Sequence, residues 1–202
     1  MTSTSMVRLK RFGLTKTGVD GFMEYGSDWI SQNSMTEAEY DDMLSWMEDA
    51  NLLDSKSKSL NTLGKKLRVL GLHHAAIWAT IWTNLAFRND LCRWYCHHVK
   101  PGEIFCEQDL IFLLGNNIPI EERTAYVHSF CQTMEQTPIG IRLGQCVALA
   151  KTGKALPYQR RSLLDTETKN HFMYTTRHCD LHETEVAQPR GDASARPHPK
   201  PG

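Results

Sequence analysis

Residues 36–70, TEAEYDDMLSWMEDANLLDSKSKSLNTLGKKLRVL, hold the signals from which the rest of the chain is read. Thr36-Glu37-Ala38-Glu39 is a capping box: the threonine hydroxyl takes an orphan amide at a helix start while Glu39 reaches back to the cap. Tyr40, Met43, Leu44 and Met47 follow at i, i+3, i+4, i+7, the apolar stripe of an amphipathic helix. Asn51 is placed to stop that helix in the left-handed conformation. Leu52-Leu53-Asp54, a Ser/Lys turn and Ser59-Leu60-Asn61 predict a short hairpin, and Leu63, Leu67 and Leu70 predict a further helix. Upstream, Val19, Phe22, Met23, Gly26 and Ile30 share one face of a helix of about four turns. Helix, helix, hairpin, helix is the order of a winged-helix-like module, bounded here at residues 13–72 behind an N-terminal arm of residues 1–12.

Residues 73–100 form a central helical segment. Ile77, Trp78, Ile81, Trp82, Leu85, Ala86 and Phe87 cover nearly the whole circumference of a helix, so burial on most sides is expected. Asp90 is placed to cap a second helix with Leu91, Trp94, Tyr95 and His98. Residues 101–156 repeat the first pattern more faintly. Leu110, Ile111, Leu113 and Leu114 make a short helix stopped by Gly115-Asn116-Asn117. Pro119 starts the next helix, with Val127, Phe130, Cys131 and Met134 at i, i+3, i+4, i+7, and Pro138 and Gly140 end it. Residues 146–150, a Lys151–Lys154 turn and Ala155-Leu156 then read as a second hairpin or wing. The expected fold is mainly α: two winged-helix-like modules with small β hairpins around a central helical segment. Residues 157–202, ending in AQPRGDASARPHPKPG, lose all periodicity and predict a disordered C-terminal tail.

A chain of 202 residues suits one ordinary domain or two small modules sharing a core. Lys+Arg and Asp+Glu are both 23, which argues against a globally basic nucleic-acid clamp or a polyanionic tail. The longest uncharged stretch, Gly71–Phe87, contains histidine, threonine and asparagine and falls short of the ~20 apolar residues of a spanning helix, so no membrane is expected. MTSTSMVRLKRFG has no apolar region behind its basic residues, and the cysteines are scattered. Both point to a reducing cytoplasm.

FGLTKTGVDGFMEYGSDWI, Leu60-Asn61-Thr62-Leu63-Gly64-Lys65, Ile81-Trp82-Thr83-Asn84-Leu85 with Trp94-Tyr95, and Met134–Gly140 before Leu143-Gly144 form an ordered series. It resembles a bacterial domain of unknown function found at the C-terminal end of phosphoadenosine-phosphosulfate-reductase-like proteins. Free-standing copies of that domain occur near DNA-phosphorothioation and similar phage-defence genes. The resemblance covers roughly residues 12–154, and its motifs are structural. It implies an accessory module without the enzyme, since the chain has no SGGxDS-type pyrophosphate loop and no four-cysteine iron–sulfur array. The family pattern breaks off after Lys154, which a truncated or frameshifted gene would produce.

Two surfaces are candidate sites. The helix from Glu37 carries Glu37, Glu39, Asp41, Asp42, Glu48 and Asp49 and no cation, which suits a protein partner better than a polyanion. In the second module Glu121, Glu122 and Glu135 stand against Arg123, little better for DNA. Positive charge flanks the two hairpins, as Lys56, Lys58, Lys65, Lys66 and Arg68 and as Lys151, Lys154, Arg160 and Arg161. These are candidate contacts to backbone phosphates, weighed against plain solvated surface. Cys92-x3-Cys96-His97-His98 with Cys106 lacks the geometry of a zinc knuckle, and His178, Cys179 and His182 are spaced like ligands only incidentally. Glu24, Asp28, His73, His74 and His128 are available acid–base groups, but no nucleophile is placed beside a base and no phosphate loop appears. The expectation is therefore a non-catalytic adaptor without metal or cofactor, joined to a sulfurtransferase-like or defence enzyme. The alternative is a weak, sequence-indifferent DNA-binding accessory.

Overall fold

The capping box at Thr36 forms as its residues require: the Glu39 amide donates to the Thr36 hydroxyl at 3.3 Å and the Thr36 amide to the Glu39 carboxylate at 2.8 Å. In the computed structural model, which describes residues 10–29, 33, 35–150 and 156–161, this box opens α2 (Glu37–Asp49), the second helix after α1 (Lys16–Tyr25). Asn51 ends α2 with φ +58°, the left-handed stop its side chain tolerates. Then follow α3 (Thr62–Leu70), α4 (Ala75–Arg88), α5 (Asp90–His98), β1 (Ile104–Phe105), α6 (Glu107–Leu113), α7 (Ile120–Gln136), α8 (Pro138–Ile141), β2 (Val147–Ala148) and β3 (Tyr158–Gln159). The chain is mainly helical, with one small sheet among the described residues.

Several local expectations are corrected. The first helix is shorter than four turns: α1 ends at Tyr25, because Gly26 takes φ +63° and a 3₁₀ turn follows. Ile30 lies outside the described residues. The first hairpin reduces to one antiparallel bridge, Leu53 to Leu60, around a turn in which Asp54 accepts the amides of Lys56 (3.0 Å) and Ser57 (2.8 Å). In α3, Leu67 is buried but Leu70 is exposed, and Gly64 instead meets the backbone of Leu52. A Cβ at Gly64 would overlap the Leu52 carbonyl, so glycine is what lets α3 lie this close. Asn89 rather than Asp90 caps α5, accepting the Cys92 amide at 2.9 Å. On α4, Ala76, Ile77, Trp78, Ala79, Ile81, Trp82 and Leu85 are buried, whereas Phe87 points to solvent.

The second hairpin is also repartnered. β2 pairs with Tyr158–Gln159, downstream of the Ala155-Leu156 expected, and the same strand pairs with β1, giving an antiparallel sheet of order β1-β3-β2. The reason is burial: the Tyr158 ring packs on Phe105 at 6.0 Å, while Leu156 stays exposed. Tail residues expected to be disordered from Pro157 onward therefore begin with a central strand. Lys151–Ala155 and residues 162–202 lie outside the described residues.

One buried cluster runs from Leu14 to Tyr158, with Trp46, Trp78, Tyr95 and Phe130 among its largest members. α7 packs on α6, α8 and α5, α4 packs on α5, α2 and α8, and α1 packs on α2 and α3. The end of the N-terminal arm belongs to this body. The Trp46 indole donates to the Phe12 carbonyl at 2.9 Å, and the Gly13 and Leu14 amides donate to Gln132 and Thr133 of α7 at 2.7 and 2.8 Å. This short segment thus ties α2, from the first expected module, to α7, from the second.

Candidate functional site

Most of the acidic groups on α2 turn out to act inside the chain. Asp42 is buried and accepts the backbone amides of Arg11 (2.7 Å) and Phe12 (3.0 Å). Asp49 holds the buried Lys10 ammonium and accepts from Asn89 at 2.8 Å. Lys10 also lies 4.8 Å from the centre of the Trp46 ring. Glu48 pairs with Lys58, and Glu39 completes the capping box, whose hydrogen bonds from Thr36 hold its carboxyl below the usual range. Of the six carboxylates, Asp42, Asp49, Glu48 and Glu39 thus have partners within the chain, and Glu37 and Asp41 are exposed.

The basic set divides in the same way. Arg160 donates to the carbonyls of Cys96 (3.1 Å) and Val99 and sits over the Tyr95 ring at 5.2 Å, so its guanidinium locks the sheet to α5. Arg161 is exposed while its amide donates to the Gly144 carbonyl at 2.7 Å. Lys58 is taken by Glu48. Lys56, Lys65, Lys66 and Arg68 are exposed, the last three on α3, whose residues 62–70 include no acid. Arg68 also borders a shallow depression with Asp20, Met23, Glu24 and Leu72. Lys151 and Lys154 lie outside the described residues.

The cysteines do not converge on a metal-like arrangement among the described residues. Burial pushes the Cys92, Cys131 and Cys146 thiols well up, as for small core residues, and Cys96 is raised by burial in part offset by Arg160. Cys106 is the N-cap of α6. Residues His178, Cys179 and His182 are outside the described part. The acid–base candidates are spread over several elements: Glu24 on α1, Asp28 in the 3₁₀ turn after it, His73 and His74 ahead of α4 with tilted rings whose centres are 4.0 Å apart, and His128 on α7 with Glu107 at 3.4 Å.

A feature the sequence reading did not single out is a cleft of about 230 Å³ between α5 and the α6–α7 connection. Leu91, Trp94, Leu114, Ile118 and Tyr126 line it, with Asp90 at its edge. The Trp94 ring is stacked on His98 at 5.1 Å, and the Trp94 carbonyl meets the His98 Nδ1 at 2.8 Å, which fixes one wall. The Tyr126 hydroxyl is pushed up by burial first and then by the carboxylates of Glu122 and Asp90. The available signal was the pair of apolar residues, Leu114 and Ile118, on either side of the Gly115-Asn116-Asn117 stop. Chemically the cleft offers an apolar socket with a carboxylate rim.

No protein-family model matches the chain, and no curated protein or solved structure matches it. No helix among the described residues is long and apolar enough to cross a membrane.

Proposed function

We propose that this chain is a non-catalytic accessory module, built as two winged-helix-like units, that docks in the cytoplasm on a protein partner. The observation that carries this reading is the apolar socket of Leu91, Trp94, Leu114, Ile118 and Tyr126, with Phe112 and Leu113 exposed in the adjoining stretch of chain. Exposed apolar surface beside a cleft is the usual mark of a binding face. The resemblance over residues 12–154 supplies the partner class: a phosphoadenosine-phosphosulfate-reductase-like enzyme or one of a DNA sulfur-modification, phage-defence system. Copurification of the full chain with the products of neighbouring genes tests this. A stoichiometric complex with such an enzyme is the expected result. Substrate turnover by the pure chain, or no complex with any of those products, would overturn it.

A second reading, weak sequence-indifferent binding to DNA, is favoured by α3. Lys65, Lys66 and Arg68 are exposed there, with Lys56 on the preceding turn. In this reading α3 replaces the second wing, since Arg160 is engaged within the fold. Retention on duplex DNA at low salt, weakened by joint Lys65→Glu and Lys66→Glu, would support it, because phosphate contacts make affinity fall with salt. No retention at low salt rules it out.

A further inference from the structure

Exposed apolar residues flank the cleft-lining Leu114 and Ile118 in sequence. Phe112 is 80% exposed, Leu113 50% and Ile120 48%, all in the stretch of chain that also supplies Leu114 and Ile118. The cleft volume, about 230 Å³, lies under the roughly 300–1,000 Å³ of small-molecule sites. A space of that size suits one large side chain, as when an interface anchor fills a pocket on its partner.

Charge narrows the occupant further. Asp90 borders the cleft, and Glu121 and Glu122 form the first turn of α7. Arg123, next in sequence, does not offset them at the surface. It is buried, and its Nη1 donates inward to the Ile111 carbonyl at 3.2 Å. Arg93 pairs with Asp90 and also donates to the Phe87 carbonyl at 3.3 Å, so that cation is tied back to its own helix. Glu122 and Asp90 both act on the Tyr126 hydroxyl, so that side of the cleft faces two carboxylates against one engaged guanidinium. A rim of one sign around an apolar floor selects the opposite sign in what it receives.

We propose that this cleft receives a single aromatic or aliphatic anchor from a partner segment that carries lysine or arginine beside the anchor. The proposal rests on the accessory-module reading and names the surface and the partner chemistry through which it would act. The anchor fills the socket of Leu91, Trp94, Leu114, Ile118 and Tyr126, and its flanking cations meet Glu122 and Asp90. An acidic or uncharged segment with the same anchor gains the apolar contact alone.

The test uses the full chain with methyl and indole resonances followed by NMR. The probe is a short helical peptide of Lys and Leu with one central Trp, and its counterpart has Glu in place of every Lys. The Lys peptide is expected to shift Leu91, Leu114, Ile118 and Trp94 saturably, and to bind about tenfold more tightly than the Glu peptide. Glu122→Lys should weaken the Lys peptide by roughly threefold to tenfold. Ile118→Glu should abolish the shifts. If that variant loses its fold, Leu91→Glu, at a partly exposed lining residue, is expected to weaken binding in its place. Equal affinity for the two peptides, or shifts confined to other surfaces, would overturn the proposal. So would cleft shifts produced by dilution alone, which would indicate a second copy, or by deletion of residues 162–202 alone, which would indicate the chain's own segment. A partner enzyme that binds Ile118→Glu as tightly as the parent leaves the accessory reading standing and removes this one. Peptide binding at the cleft without any partner enzyme does the reverse.

Discussion

Asp42 shows how far a residue's role departs from its surface appearance in sequence. It sits among six acids that read as a docking face, yet it is buried and receives two backbone amides from the N-terminal segment. An unsatisfied buried partner costs about 1–3 kcal/mol, so Asp42→Ala should lower stability by that amount in urea denaturation. Its exposed neighbour Asp41→Ala should change little. Equal effects at the two positions would show that the carboxylate does not hold the segment. Gly64 is decided at the same scale. Gly64→Ala forces a methyl into the Leu52 carbonyl and should cost roughly 1–3 kcal/mol, read as a lower urea midpoint.

At the scale of the element, α2 begins with a cap that can be titrated. The Glu39 carboxyl is held below its ordinary range by its hydrogen bonds to Thr36. A group whose folded pKa is depressed contributes fully above its unfolded pKa, and the contribution is lost as pH falls through the folded value. The parent should therefore lose stability on acidification by more than Glu39→Gln does, with both measured by denaturant unfolding from neutral to acid pH. Thr36→Ala removes the hydroxyl arm and should cost about 1 kcal/mol at neutral pH. This element was legible in sequence because cap, stripe and stop all lie within a few residues of one another. β3 was not legible, because Tyr158-Gln159 has no periodicity of its own and becomes a strand only between β1 and β2.

For the whole molecule, the sheet closes the fold by joining the segment before α6 to the segment after α8. Tyr158 is buried against Phe105, its hydroxyl donates to Glu135, and Arg160 reaches the end of α5. Tyr158→Ala should destabilise the protein by about 3–5 kcal/mol, as for other large buried aromatics. A chain ended after Leu156 should lose more than one ended after Arg161, seen as a lower and broader thermal transition. Equal transitions would show that β3 adds nothing. The buried thiols give an independent check of the core. Cys92, Cys131 and Cys146 should react with a thiol reagent far more slowly in the native protein than in urea, since burial suppresses the thiolate.

Helix type, cap and stop at α2, the buried stripe of Val127, Phe130, Cys131 and Met134, and the tryptophan-rich character of α4 were determined by sequence alone. Each depends on contacts or burial repeating within one or two helical turns. Tertiary structure alone decided that Asp42 and Asp49 grip the N-terminal segment, that Arg160 locks the sheet rather than facing solvent, and that Leu91, Trp94, Leu114, Ile118 and Tyr126 meet in one cleft. Those partners lie many residues apart along the chain. No local pattern marks such a pairing, because which distant group reaches a buried charge or closes a socket depends on how all the helices pack together.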